Sequence, residues 1–166
     1  MTSARPDTEP TAVACAPIAA SADDVWRYRL DFMNLPAYNP DVSDIERVSE
    51  GEPQVVGGSL GAGARYTFKL ADPRQPGTGQ PIELWIVDAK EPTLVAAGMS
   101  GASDAYEEFV VDPLGAGHSE AVLSLWLALP EGLDEATQTA AAAGALAQIE
   151  KEVQLMKENL EGRAGA

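Results

Sequence analysis

The spacing of hydrophobic and polar positions changes twice along this chain. Thr11 to Ile18 alternates weakly over the length of one strand, with Pro17 marking an edge or an end. From Ala22 the period becomes helical. Val25, Trp26 and Leu30, with the aliphatic stem of Arg29, recur at steps of three and four until Asn34-Leu35-Pro36 breaks the run. Ser21 is placed to accept the orphan donors of that helix, and Asp24 puts a carboxylate in its first turn, where the helix dipole favours it. A short second helix or turn follows and stops at Asn39-Pro40.

From Val42 the period is two. Runs at about 42–50, 63–71, 81–89, 93–100, 104–112 and 119–129 read as six strands. Turn residues separate them: the glycines from Gly57 to Gly63, the Pro73 to Pro81 loop, Glu91-Pro92, Gly101-Ala102-Ser103 and Pro113 to Gly117. Sequential strands joined by short turns predict an antiparallel meander. Asp134 then caps a long helix over about 135–160, in which Leu146, Ile149, Val153, Met156 and Leu160 form one apolar face. Its first half, Ala140 to Ala147, carries almost only small side chains, which permit either close approach to a sheet or space above it. Gly162 is a stop signal. Residues 1–10 read as a mobile tail that starts no core element, 11–161 as a single domain and 162–166 as a second tail.

Turning the more apolar face of each strand inward assigns the candidate interior. Tyr66, Phe68 and Leu70, then Ile82, Leu84 and Ile86, then Ala105, Glu107, Phe109 and Val111, then Leu123 and Leu125 point in, and Arg65, Thr67 and Lys69 point out. One carboxylate, Glu107, thus lies among apolar side chains, where lost hydration makes it a candidate general acid or base, with the Tyr66 hydroxyl as its partner. Trp85 and Trp126 fall on the outward faces, which points to a protein interface or a shifted register. Trp26 reads as a core anchor, Met99 and Met156 as adaptable packing, and His118 as an exposed hairpin residue.

Composition narrows the choice of partner. The 166 residues are enough for one core, and 26 acidic against 11 basic residues give a formal charge of -15, which repels nucleic acid. One histidine and the single Cys15 offer no metal cluster and no intramolecular disulfide, so neither metal nor cofactor is expected. The glycines before residue 64 lack a following Lys-Ser/Thr and lead into a strand, which excludes a phosphate loop. Without an integral membrane segment or a secretory signal pattern, a cytoplasmic location is expected.

Ala20-Ser21, Val25-Trp26, Asp31, Pro36 and Tyr38-Asn39-Pro40 form an opening that resembles the START-like (SRPBCC) superfamily, in its polyketide cyclase/dehydrase and lipid-transport branch. Gly63-Ala64-Arg65, Phe109 to Pro113 and the terminal helix extend the resemblance over about residues 11–161, and Tyr38 stands where tryptophan is commoner. The resemblance implies an α+β helix-grip fold: a curved seven-stranded antiparallel sheet wrapped around a long C-terminal helix, with two short helices after the first strand. It also implies a pocket between sheet and helix for a hydrophobic small molecule, walled by Phe68, Leu84, Ile86, Met99, Phe109, Leu123, Leu125, Leu146, Ile149 and Val153. Cyclases of this branch often place an arginine in the cavity, and Arg65 is the candidate by position although alternation turns it outward. Three functions follow: a carrier of a polyketide- or lipid-like molecule; a cyclase or aromatase using Glu107, Tyr66 or Arg65; or an interaction protein with a collapsed pocket, which would allow a homodimer.

Overall fold

The period-two runs build one sheet. The computed structural model describes residues 4–52, 60–72, 77–101 and 104–164. Its elements are β1 (Ala12–Ile18), α1 (Ala22–Leu30), a 3-10 turn (Phe32–Asn34), α2 (Leu35–Tyr38), β2 (Val42–Ser49), β3 (Arg65–Ala71), β4 (Gly79–Lys90), β5 (Leu94–Ser100), β6 (Ala105–Gly115), β7 (His118–Leu127) and α3 (Glu135–Ala164). The sheet is antiparallel throughout with the order β1-β7-β6-β5-β4-β3-β2, the expected meander with β1 added beside the last strand. With α3 laid against its inner face, the architecture is the α+β helix-grip fold. Of the expected turn segments, residues 53–59, 73–76 and 102–103 lie outside the described residues, as do residues 1–3 of the N-terminal tail and 165–166 of the C-terminal one.

Local signals act where the sequence places them. The Ser21 side chain accepts from the Asp24 amide at 3.2 Å, and Asp134 accepts from the Thr137 amide at 2.6 Å, which starts α1 and α3. Strand β6 runs on through Pro113 to Gly115 and turns into β7 at Gly115 and Gly117, whose φ values of 131° and 73° suit a residue without Cβ. The hairpin is longer than its apolar alternation, because backbone pairing continues after the side chains leave the core. Helix α3 continues through Gly162 to Ala164. There Arg163 stacks over the Tyr28 ring at 4.7 Å, a tertiary contact that outweighs the glycine's low helix propensity.

The inner faces of the strands, α1 and the second half of α3 share the core. Ile149, Val153, Met156 and Leu160 are buried, whereas residues 135–140 of the same helix are exposed. The helix therefore grips through its C-terminal half and stands off the sheet in its small-residue half, which decides between the two arrangements those residues permit. Strand β2 is irregular: its pairing with β3 shifts between Ser43 and Glu46 and again between Arg47 and Ser49, and Asp44 has φ 52°. At the opposite edge, the Pro17 carbonyl accepts from Lys157 Nζ of α3 at 2.8 Å.

The outer tryptophans are covered. Trp126 is 4% exposed and packs edge-on against Tyr106 with ring centroids 5.6 Å apart. Its Nε1 donates to the Thr8 carbonyl at 2.9 Å, and the Arg5 guanidinium lies 5.4 Å above its ring. Residues 5–8, which the sequence reads as part of a mobile tail, form no strand and roof this second cluster. Trp85 is also buried on that face, at 8% exposure. Neither tryptophan offers the exposed surface on which an interaction role rested.

Candidate functional site

Three elements aim a charged side chain into the interior. In α1, Ala22, Val25, Trp26 and Arg29 share the buried face, so Arg29 follows its neighbours inward at the helix C-terminus, the end that favours a cation. Alternation in β6 brings Glu107 in between Ala105 and Phe109. In α3, Glu152 lies three residues beyond Ile149 and four before Met156, on the buried stripe. Arg29 is 1% exposed, Glu107 6% and Glu152 7%.

These three groups meet. Arg29 Nη2 donates to Glu107 Oε1, Nη1 donates to the Tyr38 hydroxyl at 3.1 Å, and Nη1 lies 3.8 Å from Glu152 Oε2. The guanidinium also lies over the rings of Phe32, Tyr38 and Phe109 at 4.9, 5.4 and 5.5 Å. Its Nε has no hydrogen-bond partner. Glu152 Oε1 accepts from Asn39 Nδ2 at 2.8 Å and from Gln148 Nε2 at 3.5 Å.

Electrostatics separates the members. Burial alone would lower the Arg29 pKa, but Glu107, Tyr38 and Glu152 together raise it, so the arginine stays charged. Burial raises the Tyr38 hydroxyl, keeping it a neutral donor and acceptor. Burial likewise pushes Glu152 up to about 7; Arg29 opposes the shift and the nearby Glu107 adds to it. Glu152 is thus divided between acid and carboxylate near neutral pH, which suits a group that gives or takes a proton.

The cluster forms part of the wall of a cavity of about 620 Å³ between the sheet and α3. Phe68, Leu84, Met99, Leu125 and Ile149, all expected at the site, line it, as does Glu107. Gly144 and the alanines at 140, 141 and 145 form its helical wall, and the more exposed Asp41, Asp72, Gln80 and Thr137 its polar rim. The pocket is therefore not collapsed.

Other expected positions fall elsewhere. Ile86, Phe109, Leu123 and Val153 are buried core residues outside the cavity lining, and Leu146 is 37% exposed. Tyr66 is buried against Phe32, with ring centroids 5.6 Å apart and the Arg47 guanidinium 5.8 Å from its ring, and it is not among the residues of the cavity wall. Arg65 lies on the outer face, paired with Glu83, so the cavity arginine is Arg29. Glu107 is surrounded not by apolar side chains alone but by Arg29 as well. Sequence reasoning missed Arg29 and Glu152 as site residues. The signal in the sequence is a charged residue at a core position of each helix: Arg29 among Val25, Trp26 and Leu30, and Glu152 between Ile149 and Met156.

Comparison with known proteins agrees with this fold. A family profile described as polyketide cyclase / dehydrase and lipid transport matches residues 10–161. Among solved structures, the Zhui aromatase/cyclase from Streptomyces sp. R1128 is 14% identical with a TM-score of 0.70, the match covering 92% of this chain and 93% of that one. A START superfamily protein from Mycobacterium smegmatis is 15% identical with a TM-score of 0.66, covering 89% and 97%. The di-domain aromatase/cyclase BexL, from the BE-7585A biosynthetic pathway, is 15% identical with a TM-score of 0.69; the match spans 90% of this chain and 46% of BexL. At these identities the likeness concerns the fold. No curated protein matches the sequence. No helix among the described residues is long and apolar enough to cross a membrane, and no group of three or more potential metal ligands occurs among them.

Proposed function

The chain belongs to the polyketide cyclase/dehydrase and lipid-transport family, and from that premise we propose that it binds a hydrophobic small molecule, polyketide- or lipid-like, in the cavity between sheet and α3. The observation that carries this reading is the cavity itself: about 620 Å³ of space with an apolar wall from β3, β4, β5 and β7 and a compact polar cluster on one side. That combination suits a ligand with a large apolar body and a few polar groups. Native mass spectrometry of freshly purified protein tests it. The expected result is a discrete excess mass, lost on denaturation, or stoichiometric uptake of a neutral hydrophobic dye; protein that takes up neither is not a binder of this kind.

One observation favours a second reading, a cyclase-type activity on a polyketide-like chain. Glu152 combines burial, a place on the cavity wall and a pKa of about 7, while Arg29 and Asn39 hold it in position. In this reading Glu152 moves the proton and Glu107 fixes Arg29. Glu152→Gln would then abolish turnover while leaving dye uptake intact, and full turnover in that variant would remove the proposed acid-base group.

A further inference from the structure

Glu152 is the less compensated carboxylate of the buried cluster. Arg29 gives Nη2 directly to Glu107, but its Nη1 donates to the Tyr38 hydroxyl and lies 3.8 Å from Glu152 Oε2. Glu152 Oε1 accepts from Asn39 and Gln148, whereas Oε2 accepts no hydrogen bond among the described residues. Within the cluster two carboxylates therefore share one guanidinium, which leaves one negative charge in excess when both are ionised. The groups that face Glu152 are Arg29 from α1, Tyr38 from α2, Glu107 from β6, the exposed Asp41 in the loop after α2 and the exposed Lys151 beside it on α3.

Glu152 also stands between two spaces. It lines the ligand cavity, and with Asn39, Asp41 and Gln148 it lines a second hollow of about 220 Å³ that includes the exposed Pro40 and Lys151. We infer that filling the cavity is coupled to proton uptake at Glu152, so that a neutral apolar ligand is held more tightly below neutral pH than above it. The inference rests on the binding function proposed above and adds its regulation. An apolar body against the cavity wall excludes water from around the cluster, and the charged carboxylate loses more by that than the neutral acid does. Burial already places this titration at about 7, so a modest further rise carries it across neutral pH. The second hollow gives the proton a way to the carboxyl while ligand fills the first. The coupling is reciprocal: a ligand that favours the protonated form is itself favoured by protons.

The affinity of the neutral dye N-phenyl-1-naphthylamine, followed by fluorescence from pH 6 to pH 9 with the fold checked by circular dichroism at each pH, tests this. In the unaltered protein the dye is expected to bind about tenfold more weakly at pH 9 than at pH 6. Protons should be taken up on binding near pH 8, read with an indicator in weakly buffered solution. In Glu152→Gln the affinity is expected to change less than about twofold over the same range. Glu107→Gln, which leaves Arg29 to Glu152 alone, is expected to flatten the profile as well, and it keeps the test open should the first variant not fold. Equal affinity at pH 6 and pH 9 in the unaltered protein, or a slope that survives in Glu152→Gln, would overturn the inference while leaving the binding function standing. Dye that binds at no pH, with no 1-decanol adduct in native mass spectrometry, would overturn both.

Discussion

Arg29 is the residue on which the interior depends. It neutralises one buried carboxylate and shares a second, so its removal leaves Glu107 and Glu152 facing each other without a cation. Arg29→Met is therefore expected to cost about 3–5 kcal/mol in chemical denaturation, and Glu107→Gln in the same chain to restore part of that loss. Glu152 makes the opposite prediction. Its folded-state pKa lies above the ordinary 4.5, at about 7, so the folded protein holds this proton more tightly than the unfolded chain does. The stabilising effect is fully present below pH 4.5 and is lost as pH rises through 7. Glu152→Gln is expected to be near neutral at pH 5 and more stable than the unaltered protein at pH 8, by on the order of 3 kcal/mol; an unchanged difference between the two pH values would contradict the assignment. Glu107 was legible because strand alternation makes a simple statement about each residue. Arg29 was not, because a helical arginine in an apolar face is ordinarily read as a stem passing through to water, and only the tertiary position of β6 shows that it ends inside.

At the scale of elements, helix α3 divides its tasks between halves. Ile149, Val153, Met156 and Leu160 fasten it, while Gly144 and the neighbouring alanines hold the cavity open by supplying no bulk. A Cβ added at Gly144 meets nothing within 4 Å. Gly144→Ala is accordingly expected to stabilise the helix by up to about 1 kcal/mol, seen as a higher midpoint in denaturant. Gly144→Leu is expected to reduce dye uptake while keeping the fold. Uptake unaffected by leucine would place the ligand elsewhere. The apolar period located every strand and both longer helices, since each buries one face. It could not say whether the small-residue half of α3 would sink or stand off, because alanine tolerates both. Tyr66 was correctly turned inward but wrongly brought to the cavity, since alternation fixes a face and not the distance along it.

At the scale of the whole molecule, the outer surface of the sheet has its own small core, roofed by residues 5–8 of the N-terminal segment. Chain lacking residues 1–10 loses the hydrogen bond to Trp126 and the stacked Arg5, an expected loss of about 1–2 kcal/mol. Tryptophan emission should shift to the red in that variant, and the shift should vanish when Trp126 is also replaced by Phe. The two outermost strands carry a further consequence. A sheet that closes on itself has no ends, but this one is open, and each free end is a template on which another chain can polymerise. The double register shift of β2, with Asp44 in the left-handed region, interrupts the row of groups that a newcomer would need. At β1, Pro17 has no amide hydrogen to give, and its carbonyl is taken by Lys157. Both ends are blunted, which opposes edge-to-edge pairing between copies of this chain.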